Sequence, residues 1–230
     1  RLQPNSMQVG FINNLRKIYE AGEDKALLIS ATGTGKTYAS AFAARELQFK
    51  RVLFLVHRNQ IAKQAMKSYR KVFDGKVSMG MVAGKYQDYD ADFVFATVQT
   101  LSKEDMLNRY GRDEWDLIII DEAHHSSADS YKKIMDYFTP KLWLGMTATP
   151  DKRDDNLEGR NIYEIFNHQI AYEIRLQNAM EENLLCPFHY FGITDLEVIA
   201  DAGKSIEEKV KHFRYLTSEE RVLNVMKQAE

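Results

Sequence analysis

Residues 29–37 read ISATGTGKT, and the chemistry these residue types can do is anion binding. The stretch follows the apolar run Ala26-Leu27-Leu28-Ile29 and leads into YASAFAAREL, so it reads as strand, small-residue loop and helix start. Glycines let the backbone curl until successive N–H groups point into one concavity. The helix that follows adds its unpaired N-terminal N–H groups and the positive end of its dipole. The backbone from Gly33 to Lys36 would cradle phosphate, with Thr32, Thr34 and Gly35 completing the loop. Lys36 can reach the β- and γ-phosphates of a nucleoside triphosphate, and the Thr37 hydroxyl can take a place on Mg2+. The strict pattern G-x-x-x-x-G-K-[ST] has Ser30 in its first position, a departure that leaves GTGKT intact.

The second chemical stretch is DLIIIDEAHHSS, residues 116–127, an apolar strand that ends in two carboxylates. The carboxyl end of a parallel strand is where such sheets bind ligands. There Asp121 would hold Mg2+, through water because the ion keeps much of its hydration shell. Glu122 would orient and deprotonate an attacking water. His124 and His125 do not make a zinc site, because zinc needs three or four ligands and the single cysteine, Cys186, is remote. His124 is read instead as a hydrogen-bonding group beside the phosphate site.

These loops need strands to carry them. Apolar runs predict strands at 26–30, 51–56, 93–97, 116–120 and 142–146, with a weaker one at 77–82. Runs this continuous read as strands buried on both faces. Helical patterns fall between them at 6–20, 36–48, 59–73, 101–109 and 128–138. The βαβα order predicts an α/β fold, a parallel sheet with helices on both faces and right-handed crossovers. After Pro150 the charged stretch DKRDDNLEG reads as a loop. Short helix and strand signals follow in NIYEIF, IAYEI and CPFHYFGI, and the chain closes on an amphipathic helical pattern.

In their order, ATGTGKT, DEAH and TATP (147–150) resemble motifs I, II and III of the superfamily 2 (DEAD/DEAH-box) helicases and translocases. LVHRNQIAKQA (55–65) resembles their motif Ia, and ATVQTL (96–101) resembles the nucleic-acid-contacting motif after the fourth strand. PNSMQ (4–8) resembles the upstream glutamine motif. Among branches, DEAHHSSADSYKKIM is most similar to bacterial DNA repair and restriction translocases. The resemblance implies a RecA-like P-loop NTPase domain over residues 1–175. It implies ATP and Mg2+ as ligands, and Lys36, Asp121 and Glu122 as catalytic residues. Gln8 would read the adenine edge, while His124, Thr147 and Thr149 would couple the nucleotide to the nucleic-acid face. It implies that Arg58, Asn59, Thr97, Gln99 and Thr100 face the backbone of a tracked strand, with little sequence specificity. Residues 176–230 would connect to a second RecA-like domain of the same polypeptide, which supplies arginine fingers. Without that domain, ATP turnover would fall steeply.

Bulk properties narrow the partners. The 230 residues are 44% hydrophobic, enough for a core, and 31 Lys+Arg stand against 33 Asp+Glu for a net charge of −2. Composition therefore announces no nucleic-acid binder, and any basic surface must be local. Residues 45–76 are such a region; Lys63, Lys67 and Lys71 share one helix face at i, i+4, i+8 spacing. A single cysteine permits no intrachain disulfide and fits a reducing, cytoplasmic setting. No apolar run approaches the ~18 residues of a membrane span. The partner expected is double-stranded DNA. An RNA-dependent ATPase and, less favoured, a P-loop phosphotransferase are the alternative readings.

Overall fold

The computed structural model describes residues 1–30, 35–123, 128–148 and 162–174. In that region eight strands form one sheet. They are β1 (Lys25–Ser30), β2 (Val52–Val56), β3 (Met79–Ala83), β4 (Tyr86–Gln87), β5 (Phe93–Thr97), β6 (Leu117–Ile120), β7 (Leu142–Thr147) and β8 (Ile170–Ile174). The spatial order is β4-β3-β5-β2-β6-β7-β1-β8. All neighbours pair parallel except β3 and β4, which form a short antiparallel hairpin.

The helices are α1 (Ser6–Glu20), α2 (Lys36–Glu46), α3 (Asn59–Phe73), α4 (Val98–Leu101), α5 (Glu104–Leu107), α6 (Asp129–Tyr137) and α7 (Ile162–Ile165). Alternation along the strands sorts the core into two layers. Ala26, Leu28, Phe54, Phe95, Ile119 and Leu144 face α1, α2 and α3. Leu27, Ile29, Leu55, Val94, Ile120 and Trp143 face the layer of α4 to α7. The expected three-layer α/β architecture is therefore what forms. No helix among the described residues is long and apolar enough to cross a membrane.

Three local departures have physical causes. Where one helix is expected at 101–109, α4 ends at Leu101 and α5 runs over Glu104–Leu107, because Lys103 is extended (φ −71°, ψ 138°) and starts a new turn. Its carbonyl accepts the N–H groups of Met106 and Leu107, and Glu104 and Asp105 sit at the positive end of the new helix. The two-residue β4 is too short to show a period. The IAYEI signal is β8, which extends the sheet beyond β1.

Small residues decide two close approaches. Ala39, Ala41, Ala43 and Ala44 are all buried in α2, which packs between α1 and α3. At Gly145 in β7 an added Cβ would lie 2.5 Å from the Phe166 ring, so only glycine admits that ring against the sheet.

Candidate nucleotide and nucleic-acid site

The strand order assembles what the sequence separates. β7 lies between β1 and β6, with Ile29 level with Thr147 and Ile120 level with Gly145. The end of β1 at Ser30, Asp121 and Glu122 after β6, and Thr147 at the end of β7 thus lie along one edge of the sheet. This is the carboxyl edge, where α/β sheets bind ligands.

Lys36 and Thr37 form the first turn of α2, both half-buried. Gly35 precedes them in the left-handed region, φ 82° and ψ 35°, and among the described residues no side chain caps the helix. The uncapped N–H groups and the lysine suit an anionic ligand. A Cβ at Gly35 would also stand 3.0 Å from Gln8 Nε2, a tight contact that the glutamine side chain would have to yield to. The Gln8 side chain is buried. Its Oε1 accepts the Asn5 N–H at 2.9 Å while Asn5 Oδ1 accepts the Gln8 N–H at 2.9 Å, a reciprocal cap on α1. Gln8 Nε2 donates to the Gly35 carbonyl at 3.3 Å, joining the start of α1 to the residue before α2.

Asp121 continues the ladder of β6 by donating its N–H to the Leu55 carbonyl at 3.0 Å. Its Oδ1 accepts the N–H of Glu122 at 3.0 Å. Glu122 takes φ 52°, an uncommon conformation for a non-glycine residue that turns the chain sharply off the strand. Both carboxylates are half-buried.

Two buried tyrosines flank this turn from opposite faces of the sheet. Tyr69 of α3 donates to Ser40 Oγ at 2.7 Å, and Ser40 in turn donates to the Thr37 carbonyl at 2.7 Å. Burial first, and the Asp121 charge in addition, push the Tyr69 phenol far above its usual range, against the Ser40 hydrogen bond. Tyr131 of α6 lies 3.1 Å from His57 Nε2, with the rings edge to face at 5.3 Å. Burial, then the charges of Asp121 and Glu122, raise its phenol likewise. Both phenols remain neutral, and Tyr69 is a donor because Ser40 gives its own proton to the Thr37 carbonyl. Tyr69 braces the first turn of α2, and Tyr131 ties α6 to the residue after β2. Neither role has a local signature, because the partners lie on different elements.

The expected nucleic-acid residues occupy the other half of the same edge. Arg58 is the extended residue before α3, Asn59 begins that helix, and both are exposed. Thr97, buried, ends β5 and Thr100 follows it, and β5 lies between β2 and β3. Thr97 Oγ1 donates to Thr100 Oγ1 at 2.9 Å, and Thr100 Oγ1 accepts the Gly84 N–H at 3.4 Å. Gln99 is exposed beside them. Gly84, in the β3–β4 turn, was not anticipated from sequence. Thr32, Gly33, Thr34, His124 and Thr149 lie outside the described residues.

Fold and site together define a RecA-like α/β domain. The chain belongs to the family described as "Type III restriction enzyme, res subunit", whose model matches residues 1–152. This bears out the resemblance to superfamily 2 read from the motifs. The chain is 32% identical over 209 residues to the putative ATP-dependent helicase IRC3 of Saccharomyces cerevisiae, covering 83% of this chain and 28% of that protein. It is 30% identical over 207 residues to the type I restriction enzyme EcoAI endonuclease subunit of Escherichia coli, covering 85% of this chain and 24% of that one. It therefore spans about a quarter of the length of these relatives. Among solved structures, a nuclease-deletion mutant of the Type ISP restriction-modification enzyme LlaGI shares the fold. The TM-score is 0.59 at 19% identity, over 80% of this chain and 21% of that one. The Pyrococcus furiosus Hef helicase domain matches with a TM-score of 0.55 at 21% identity, over 69% of this chain and 36% of that one.

Proposed function

We propose that this chain is the ATP-binding motor domain of a DNA helicase or translocase that works in restriction or repair. The observation that carries the reading is the shared edge. Lys36 and Thr37 after β1, Thr147 on β7 and Asp121–Glu122 after β6 stand on three adjacent strands. The strand ends carrying Arg58, Asn59, Thr97 and Thr100 continue the row. A relative that is a restriction endonuclease subunit favours DNA over RNA.

The residues present fit MgATP. Lys36 and the first turn of α2 bind the β- and γ-phosphates, with Thr32, Gly33 and Thr34 completing the cradle. Gln8 meets the adenine edge. Thr37 and Asp121 would hold Mg2+, which neutralises phosphate charge when bound. Glu122 accepts the proton of the attacking water. Thr147, Thr149 and His124 pass the state of the site to Arg58, Asn59, Thr97, Gln99 and Thr100 on the DNA side. Residues 1–175 form this domain, and 176–230 lead towards a second RecA-like domain whose arginines complete the site. The protein acts in the cytoplasm on double-stranded DNA.

The test is ATP turnover by the intact gene product, with and without duplex DNA, single-stranded DNA and RNA. Duplex-stimulated turnover that Glu122→Gln abolishes is expected. Stimulation by RNA alone would replace the DNA reading with an RNA one, and indifference to every polynucleotide would refute the motor.

A further inference from the structure

The β3–β4 hairpin and the start of α3 carry a cluster whose side chains have no role assigned above. Lys63 Nζ lies 5.0 Å from the centre of the Tyr86 ring, and Lys85 Nζ lies 5.7 Å from the same centre. Both distances are within the range of a cation–π contact. The nearby Lys63 ammonium, and Lys85 after it, draw the Tyr86 phenol below its usual range. Among the described residues neither lysine makes an ion pair with an acidic side chain. One ring therefore gathers two exposed ammonium groups, and two positive charges at one place suit an anionic ligand. The cluster adjoins Gly84, whose N–H reaches Thr100 and which lies beside the Asn59 side chain. It thus extends the row of Arg58, Asn59 and Thr100 towards the β3 margin of the sheet.

We propose that Lys63 and Lys85, held by the Tyr86 ring, form an additional phosphate-contact site for the polynucleotide backbone. The inference rests on the nucleic-acid reading above and names a part of that interface. Lys63 is one of three lysines spaced along α3, but the three are not equivalent. Lys71 lies eight residues further on, about 12 Å down the helix axis and away from the carboxyl edge. A merely solvated stripe would treat the three alike. A phosphate site at the hairpin uses Lys63 and Lys85 and leaves Lys71 out.

The experiment is the salt dependence of duplex DNA binding by the intact gene product, for wild type and for Lys63→Ala, Lys85→Ala and Lys71→Ala. Each lost phosphate contact lowers the slope of log affinity against log salt by ~0.9 on duplex. Between about 50 and about 200 mM salt, each hairpin variant should then lose about 3.5-fold less affinity than wild type. Lys71→Ala should keep the wild-type slope. Tyr86→Ala should weaken binding and Tyr86→Leu should not restore it, because an aliphatic side chain offers the ammonium groups no ring face. Wild-type slopes in both hairpin variants, with wild type binding normally, would overturn the proposal while sparing the motor reading. Equal losses in all three lysine variants would overturn it too, in favour of a diffuse basic surface. Absence of polynucleotide binding by wild type would overturn the nucleic-acid reading itself, and the site with it.

Discussion

Replacing Gly145 by alanine should damage the fold through one contact that can be named in advance. The new Cβ would meet Phe166 Cζ, Cε2 and Cε1 at 2.5, 2.8 and 2.9 Å. Carbon atoms at rest stand ~3.5–4.0 Å apart, so the ring must retreat by about 1 Å. It has little room, being fully buried and packed in the layer with Leu27, Ile29 and Trp143. Its backbone is also anchored, with Phe166 N–H donating to the Ile162 carbonyl and the Gln169 N–H to the Phe166 carbonyl. Overpacking of this kind costs about 1–3 kcal/mol. If the ring is expelled instead, the loss approaches the ~3–5 kcal/mol of a Phe→Ala truncation. At ~2–4 °C per kcal/mol for a domain of this size, overpacking should lower the melting temperature by roughly 2–12 °C and expulsion of the ring by more, up to about 20 °C. Thermal unfolding followed by circular dichroism reads it directly. The diagnostic step is a double-mutant cycle with Phe166→Leu, which frees the space the methyl needs. The pair should then be less damaging than the sum of its members, by ~0.5–3 kcal/mol. A Gly145→Ala protein that melts with wild type, or whose loss Phe166→Leu leaves untouched, would show that the close approach is not what demands glycine.

Three further outcomes follow from the hydrogen bonds. Tyr69→Phe removes one buried bond to Ser40 and should cost about 1 kcal/mol, whereas Ser40→Ala strands the Tyr69 hydroxyl and should cost more, ~1–3 kcal/mol. Denaturant titrations that reverse this order would refute the donor assignment. Asn5→Ala removes the side-chain cap of α1 that Gln8 N–H uses and should cost ~0.5–2 kcal/mol in the same assay; an unchanged midpoint would refute the cap. Burial pushes the Asp116 carboxyl up, but the N–H groups of Lys50 and Arg51 and the Lys141 ammonium outweigh it and leave it below its usual value. Its stabilising effect is therefore complete above the ordinary aspartate range and lost as pH falls through the lower folded value. Asp116→Asn should flatten the acid side of the melting-temperature profile, and an unchanged profile would refute this linkage.

The elements and the two chemical stretches were legible because their signals are local. Continuous apolar runs mark strands buried on both faces, and helix α1 runs over 6–20 as its periodicity predicts. GTGKT and DEAH each carry their meaning in adjacent residues, so the resemblance to known helicase motifs was readable without the fold. Helices α4 and α5 were less legible, since a single extended Lys103 divides a pattern that reads as one helix.

The tertiary structure decided what depends on residues far apart in the chain. Placing β7 between β1 and β6 sets Thr147 level with Ile29 at the end of β1, and this follows from crossovers rather than from any short pattern. The same holds for Tyr69 on Ser40, Tyr131 on His57 and Lys63 over Tyr86. Each pair joins two elements whose separate periodicities say only which face is buried. Which buried or exposed neighbour a side chain meets is settled when the helices pack on the finished sheet.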